Sequence, residues 1–183
     1  MDDVQGIPLP KSGLAEDILS LFVEQAQREV DRGAELPAGH EAHDVHHLVT
    51  FKLGSEEYGV EIGNVQEIIR AANITNVPGA PPHVRGVINL RGKIIPVADL
   101  RRRFGLPDME ATDSQRIVVV ELGGRRIGML VDRVSQVIKI PEGVVEEMPE
   151  EATTIDDNYI MGVGKLGNRL VIILDLNRPL LLL

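Results

Sequence analysis

The sequence predicts an all-β protein of two small barrels side by side, preceded by an amphipathic helix. From residue 48 onward, short apolar runs alternate with Gly and Pro, which is typical of short strands and turns. No long helical stretch separates these runs, so parallel strand-helix-strand units are disfavoured. The two halves of this region also repeat each other, and closure into barrels would protect the edges of both.

Composition excludes several classes of function. The chain has 183 residues, of which 43% are hydrophobic, enough for one or two domains with an ordinary core. A net charge of −9 and an aromatic content of 3% argue against nucleic-acid binding. The absence of cysteine excludes disulfides, thiol nucleophiles and thiolate metal sites. No apolar run is long enough to span a bilayer, and the N-terminus does not resemble a signal peptide, so we expect a cytoplasmic protein.

Residues 1–47 differ in sequence pattern from the rest of the chain. Ser12 is placed to cap a helix whose first turn carries Glu16 and Asp17, and the helix is expected to end near Gly33. One face of this helix carries the apolar residues Leu14, Ile18, Leu21, Phe22 and Val30. Such a face either packs on the protein's own domain or docks a partner, and packing is the more common use.

The segment ELPAGHEAHDVHH, residues 35–47, is predicted to be a linker. It contains the four imidazoles of His40, His43, His46 and His47. Histidines at such spacings bind a metal when the segment is helical. The proline and glycine in this segment argue against a rigid frame, and the HExxH zinc pattern is absent. A solvated linker without a metal is therefore the favoured interpretation.

Three runs predict strands of different burial. In LVTFKL, residues 48–53, apolar and polar residues alternate, which predicts a half-buried strand. YGVEI, residues 58–62, continues the alternation. RIVVVEL, residues 116–122, is continuously apolar and is expected to be buried on both faces.

An internal repeat organises the region. Residues 51–69 match residues 120–138 at an offset of 69, and residues 85–100 match 161–176 at an offset of 76. Where the copies agree, as at Asp99 and Asp175, the residue is expected to serve the fold by capping the turn after a strand. Where they differ in polarity, we expect one copy to have been diverted to a task. The first copy carries Glu67 and Arg91, and the second carries Gln136 and Gly167 instead.

The hairpin VRGVINLRGKIIPVADL, residues 84–100, places Arg91 at its tip, and Gly92 supplies a permissive turn backbone. Pro96 has no amide hydrogen, so its strand is predicted to be an edge strand or to carry a bulge. GVGKLG, residues 162–167, has the glycine spacing of a dinucleotide fingerprint but precedes a strand, so it predicts a second hairpin. No catalytic motif is present, and we expect no catalytic residue, cofactor or metal.

The runs EEYGVEI, VQEI, RGVINLRGKIIPVADLR, RIGMLVDRVSQVI and YIMGVGKLGNRLVIILDL closely resemble the CheW family of bacterial chemotaxis coupling proteins. The resemblance covers about residues 46–178. It implies two five-stranded, SH3-like barrels joined around a small hydrophobic core, and no enzymatic activity. It also implies partners: the cytoplasmic tip of transmembrane chemoreceptors and the regulatory domain of the histidine kinase CheA, with recruitment of the protein to receptor arrays.

The resemblance implies site residues by position. Glu67 and Arg91 are implied to lie near one another and to matter for coupling. A receptor-binding groove is implied to include Val65, Gly86, Gly128 and Val137, and a kinase-binding surface Ile62. Without the resemblance, Arg91 would be expected to form a surface ion pair of little consequence, worth ~0–1 kcal/mol.

The predicted organisation is an N-terminal helix and linker over residues 1–47, then a CheW-like domain over residues 48–183. This domain is predicted to consist of two intertwined barrel subdomains, with repeats at about 51–100 and 120–176. One alternative is a coupling or regulatory module of a larger signalling protein, similar to the coupling half of CheV or the regulatory end of CheA. A barrel that binds small molecules or nucleic acid is a further alternative, disfavoured by acidity and scarce aromatics. The long N-terminal segment and the short C-terminus depart from the family pattern.

Overall fold

The structure, a computed structural model, describes residues 45–149 and 157–178. The predicted N-terminal helix and most of the predicted linker lie outside these residues. Within the described part of the chain, no helix has the length and apolar character needed to cross a bilayer. The first strand begins at Val45, so His46 and His47 belong to a strand rather than to the linker.

The described residues form eleven strands and one short helix. The strands are β1 (Val45–Leu53), β2 (Glu56–Glu61), β3 (Val65–Arg70), β4 (Val84–Leu90), β5 (Lys93–Asp99), β6 (Arg116–Leu122), β7 (Arg125–Val131), β8 (Arg133–Pro141), β9 (Val145–Glu146), β10 (Ile160–Leu166) and β11 (Arg169–Leu174). The helix α1 (Leu100–Arg103) follows β5, and 3₁₀ turns occupy Ile62–Asn64, Glu142–Val144 and Asp157–Tyr159. The all-β prediction is confirmed for the described residues.

The strands form two sheets. Sheet A has the order β8-β1-β2-β11-β10-β9, and sheet B has the order β3-β6-β7-β5-β4. Neighbouring strands are antiparallel except at two junctions, β2 with β11 and β5 with β7, which are parallel. These two junctions occupy equivalent places in the repeat.

The sheets do not coincide with the two copies of the repeat. The first hairpin of the first copy, β1-β2, belongs to sheet A with β8, β10 and β11 of the second copy. The first hairpin of the second copy, β6-β7, belongs in return to sheet B with β3, β4 and β5. Each copy therefore contributes strands to both sheets, and neither copy contains a complete sheet.

Three apolar clusters follow from this exchange. The largest combines residues of both sheets, among them Phe51, Tyr58, Val118 and Met129. A second cluster lies within sheet B and contains Ile88, Ile95, Val97, Ile117, Val119 and Leu130. A third lies within sheet A and contains Leu48, Ile138, Ile140, Val171 and Ile173. A strand between the largest cluster and one of the others must be apolar on both faces.

Strand β6 confirms the prediction of two-sided burial, because Ile117, Val118, Val119 and Val120 are all buried. The half-buried prediction for LVTFKL is wrong. Thr50 is fully buried on the face that alternation assigned to solvent, and its hydroxyl donates to the Gln136 carbonyl oxygen at 3.1 Å. A hydrogen-bonded threonine is compatible with a buried face, so its polarity misled the pattern.

The hairpin β4-β5 turns at Arg91 and Gly92 as predicted, but β5 is not an edge strand. Strand β7 lies on one side of β5 and the edge strand β4 on the other, and the irregular register falls in β4 between Val84 and Gly86. Pro96 is tolerated because it lies one residue before the β7 pairing begins. Across the hairpin Pro96 is paired with Val87, whose backbone N–H and C=O both form hydrogen bonds with Thr75 instead. Neither neighbouring strand therefore requires an amide hydrogen from Pro96.

Both shared aspartates confirm their predicted capping role. Asp99 precedes α1, and its Oδ1 accepts from the Arg102 backbone nitrogen at 3.2 Å. Asp175 follows β11, and its Oδ1 accepts from the Asn177 backbone nitrogen at 3.0 Å. The residues common to both copies therefore secure equivalent turns.

Candidate functional site

The candidate site is centred on the tip of the β4-β5 hairpin, where Arg91 contacts Glu67 of β3. Strands β3 and β4 are the two outer strands of sheet B. They meet because Thr75, just beyond β3, pairs with Val87 of β4 through two backbone hydrogen bonds of 2.8 Å. This bridge joins the ends of the sheet and brings the Glu67 side chain within reach of the hairpin tip.

The Glu67–Arg91 contact is a bidentate fork. Arg91 Nη1 donates to Glu67 Oε1 at 3.0 Å, and Nη2 donates to Oε2 at 3.2 Å. The Arg91 side chain is 75% exposed and that of Glu67 is 15% exposed. Glu67 thus fixes a guanidinium that stays open to solvent, with further N–H donors available to a partner.

The backbone at the tip also distinguishes Arg91. Its φ of +50° is left-handed, a region that costs roughly 1–2 kcal/mol for a residue with a Cβ atom. The equivalent residue of the second copy, Gly167, adopts nearly the same φ, +58°, without that cost. An arginine held where glycine fits better indicates a functional requirement for its side chain.

The implied receptor-groove residues are not brought together as one exposed surface. Val65 is buried in the largest apolar cluster, and the half-buried Val137 packs against the same cluster. Gly86 and Gly128 are buried within sheet B. Ile62, the implied kinase contact, lies in the 3₁₀ turn after β2 and is half-buried against the largest cluster. The binding roles of these five residues stay predictions.

Both glycines are required by packing. At Gly86 the backbone φ is +151°, and an added Cβ would lie 2.1 Å from the Thr75 carbonyl oxygen, at the bridge that joins the ends of sheet B. At Gly128 an added Cβ would lie 2.6 Å from Ile117 Cγ2. A substitution at either position therefore acts on the fold, whatever it does to a partner.

Sequence reasoning missed a second arginine cluster, which lies in sheet A. Arg169 of β11 donates from Nη2 to Glu57 Oε1 at 2.7 Å and from Nε to Glu57 Oε2 at 3.3 Å. The Gln136 amide oxygen, in the orientation that satisfies the whole amide, accepts from Nη1 at 2.5 Å and from Nη2 at 2.6 Å. The repeat alignment concealed this cluster because Arg169 lies two residues beyond Gly167, the residue equivalent to Arg91.

A small polar cavity lies beside α1, with a volume of about 10 Å³. It is lined in part by Arg85, Asp99, Asp108 and Asp132. Arg102 hydrogen-bonds Asp108 at 3.0 Å and holds the pKa of that exposed carboxyl below its usual range. The volume is that of one water molecule, so the cavity is too small for an organic ligand.

The histidines do not form a metal site in the described residues. His46 Nδ1 lies 2.5 Å from Glu61 Oε1, and His40 and His43 lie outside the described part of the chain. Across residues 45–149 and 157–178, no group of three or more potential metal-ligating side chains comes together.

Comparisons with known proteins agree with the fold. Residues 47–181 match the CheW-like domain. The chain is 37% identical over 133 residues to the chemotaxis protein CheW of Klebsiella aerogenes, covering 73% of this chain and 80% of that protein. It is 35% identical over 161 residues to CheW of Helicobacter pylori, covering 88% and 94%.

A solved structure gives the same result. The crystal structure of the scaffolding protein TtCheW from Thermoanaerobacter tengcongensis superposes with a TM-score of 0.69 at 39% identity, covering 78% of this chain and 92% of that one. The resemblance identified from the sequence motifs is thus confirmed over most of the chain. The chain belongs to the CheW-like family.

Proposed function

We propose that the chain is a non-catalytic adaptor that couples chemoreceptors to a CheA-type histidine kinase in chemotaxis-like signalling. Family membership supports this proposal, as do relatives named chemotaxis protein CheW and a structural neighbour described as a scaffolding protein. The observation that carries it is the exposed Arg91, strained in its backbone and aligned by Glu67.

An adaptor must hold two partners in a fixed relation, and the exchanged hairpins supply that rigidity. Each sheet serves as one SH3-like barrel in this proposal, and the cluster that spans both sheets resists their relative movement. The chemoreceptor tip occupies the groove that the resemblance assigns to Val65, Gly86, Gly128 and Val137, residues that support it by packing within the fold. The kinase regulatory domain docks beside Ile62. The protein acts in the cytoplasm and is recruited to membrane-associated receptor arrays through these contacts.

In this function Arg91 presents a positive fork to an acidic group, and Glu67 keeps the fork in one orientation. A guanidinium aligned before binding loses less side-chain entropy on docking than a free one. The pair itself is expected to add little to folding, about 0–1 kcal/mol, because the Arg91 guanidinium, whose side chain is 75% exposed, is screened by solvent. Its substitution is therefore expected to separate function from stability.

The test is Arg91→Glu, measured in receptor–kinase complexes reconstituted with the protein. Kinase activation should fall strongly, because a reversed charge repels the acidic group, while the melting temperature changes by no more than a few degrees. Arg126→Glu is the matched control, since Arg126 also forms a surface ion pair, 3.2 Å from Glu121. It should leave activation unchanged. Normal activation by Arg91→Glu would remove Arg91 from the site.

The double reversal Glu67→Arg with Arg91→Glu distinguishes two roles. Partial recovery of activation indicates that mutual positioning of the pair is what matters. No recovery indicates that Arg91 itself contacts an acidic group of the partner. A phosphotransfer assay on the isolated protein completes the test, because intrinsic kinase or hydrolase activity would contradict the adaptor proposal.

A further inference from the structure

We propose that Arg169 is a positioning residue that fixes the β10-β11 hairpin of sheet A, as the Glu67–Arg91 pair fixes the β4-β5 hairpin of sheet B. We further propose that coupling requires both hairpins to be fixed, a step that rests on the proposed adaptor function. The two hairpins are equivalent in the repeat, and so are Glu67 and Gln136, but the arginines and the second acceptor, Glu57, are not.

Three oxygens of two residues accept hydrogen bonds from Arg169. Two of the oxygens belong to Glu57 of β2, whose side chain is only 9% exposed, and the third is the Gln136 amide oxygen of β8. The Arg169 side chain is 45% exposed, against 75% for Arg91. A charge-assisted fork to a mostly buried carboxylate holds its geometry better than an exposed pair.

Apart from the Glu67/Gln136 position, the residues of this cluster differ between the two copies of the repeat. The residue equivalent to Glu57 is Arg126, and the residue equivalent to Arg169 is Lys93, so sheet B carries two cations where sheet A carries an ion pair. Arg126 pairs instead with Glu121. Both clusters therefore use the position shared by Glu67 and Gln136, but the guanidinium comes from different hairpin positions, those of Arg91 and Arg169.

The cluster also links the two copies of the repeat. Glu57 comes from the hairpin that the first copy donates to sheet A, whereas Gln136 and Arg169 belong to the second copy. Next to Arg169 the exposed Leu170 occupies the position equivalent to the exposed Ile94 beside the first hairpin tip. Fixing the arginine thus fixes an exposed aliphatic side chain at each hairpin.

Hydrogen exchange on the isolated full-length protein tests the positioning role directly. Arg169→Ala should speed exchange of the β10-β11 amides by on the order of tenfold, since it removes charge-assisted hydrogen bonds across three strands, and should leave the β4-β5 amides unchanged. Lys165→Ala is the matched control, because Lys165 lies on the same hairpin and forms an exposed ion pair with Glu146 of β9. It should change exchange by less than about twofold.

A rescue experiment separates positioning from direct contact with a partner. Adding Gln136→Glu and Gly167→Arg to Arg169→Ala recreates the Glu67–Arg91 arrangement in sheet A. Gly167 already has the left-handed φ that Arg91 adopts, so the backbone accommodates the change. The triple variant should regain slow exchange in β10-β11 and most of the kinase activation lost by Arg169→Ala.

The outcomes are distinguishable. Unchanged exchange in Arg169→Ala overturns the positioning role, and faster exchange with normal kinase activation overturns the requirement for a fixed second hairpin. Restored exchange without restored activation in the triple variant shows that Arg169 contacts the partner, which also overturns the proposal. Failure of the wild-type protein to activate the kinase defeats the adaptor function and the coupling step together, whereas the exchange result on the isolated chain is independent of it.

Discussion

Gly128→Ala adds one methyl group to the buried face of β7. The new Cβ would lie 2.6 Å from Ile117 Cγ2 and 3.4 Å from Val97 Cγ2, within the apolar cluster of sheet B. Carbon atoms in favourable contact lie about 3.5–4.0 Å apart, so the first distance requires a shift of about 1 Å in a central strand. Since β6 is buried on both faces, Ile117 has little room to move.

The expected change in the free energy of unfolding follows from two opposing effects. Overpacking of this kind destabilises a protein by about 1–3 kcal/mol, whereas replacing glycine by alanine stabilises it by about 0.4–1 kcal/mol because the unfolded chain has less conformational freedom. Gly128→Ala should therefore destabilise the protein by about 1–2 kcal/mol, which lowers the melting temperature by roughly 2–8 °C at this chain length. Denaturant unfolding followed by circular dichroism measures the free energy of unfolding directly.

Gly59→Ala is the matched control, because Gly59 is the repeat equivalent of Gly128 in sheet A. Its added Cβ would lie 3.2 Å from Leu48 Cδ1 and from Val171 Cγ1, so these neighbours would have to shift by only a few tenths of an ångström. We expect a change within about 1 kcal/mol of wild type. The packing argument is refuted if Gly128→Ala proves as stable as Gly59→Ala. Loss of receptor binding by Gly128→Ala without any loss of stability would instead place Gly128 in the implied groove.

Two further predictions concern titration and topology. Burial, reinforced by a 2.5 Å hydrogen bond to Glu56, raises the pKa of Tyr58 above its ordinary value near 10, so the neutral form is favoured in the folded state. The free energy of unfolding is therefore unaffected by this group below pH 10 and falls as the pH rises from 10 toward the pKa of the folded state. In denaturant titrations, Tyr58→Phe should abolish this part of the alkaline loss, which amounts to up to about 1.4 kcal/mol per pH unit. An equal alkaline loss in the variant would contradict this assignment. Cleaving the chain between residues 110 and 111 should give two fragments that are each unfolded by circular dichroism but regain β structure when they are mixed. The reason is that each sheet contains strands from both fragments. A fragment that folds alone would contradict this prediction.

Much of the fold was predictable because local pattern dictated it. Alternation and turn residues predicted short strands, and the continuous apolar run of β6 predicted burial on both faces, since such a run has no polar face to expose to water. The paired aspartates predicted two caps, because an aspartate after a strand has few other local uses. The motifs likewise predicted the family, which the comparisons confirm.

Long-range placement was not predictable from these patterns. Intertwined barrels were predicted, but repetition in sequence carried no information on which strands pair, so the identity of the exchanged hairpins, β1-β2 and β6-β7, emerged only from the structure. Thr50 was misassigned for the same reason, because its burial depends on β8 lying beside β1. For the strand of Pro96 the sequence predicted an edge or a bulge, whereas this proline is tolerated in an inner strand because the pairing with β7 begins one residue later, at Val97.

The sequence by itself determined the strand content, the two hairpin turns, the family and the presence of Glu67 and Arg91. The resemblance implied that these two side chains lie near one another. Only the tertiary structure decided that they form a bidentate pair, that Gly86 and Gly128 are buried by packing, and that Arg169 contacts Glu57 from the other copy of the repeat. The physical reason is one of range. Strand propensity, turn chemistry and alternation act over a few residues, whereas each of these contacts joins residues separated by the closure or exchange of a sheet.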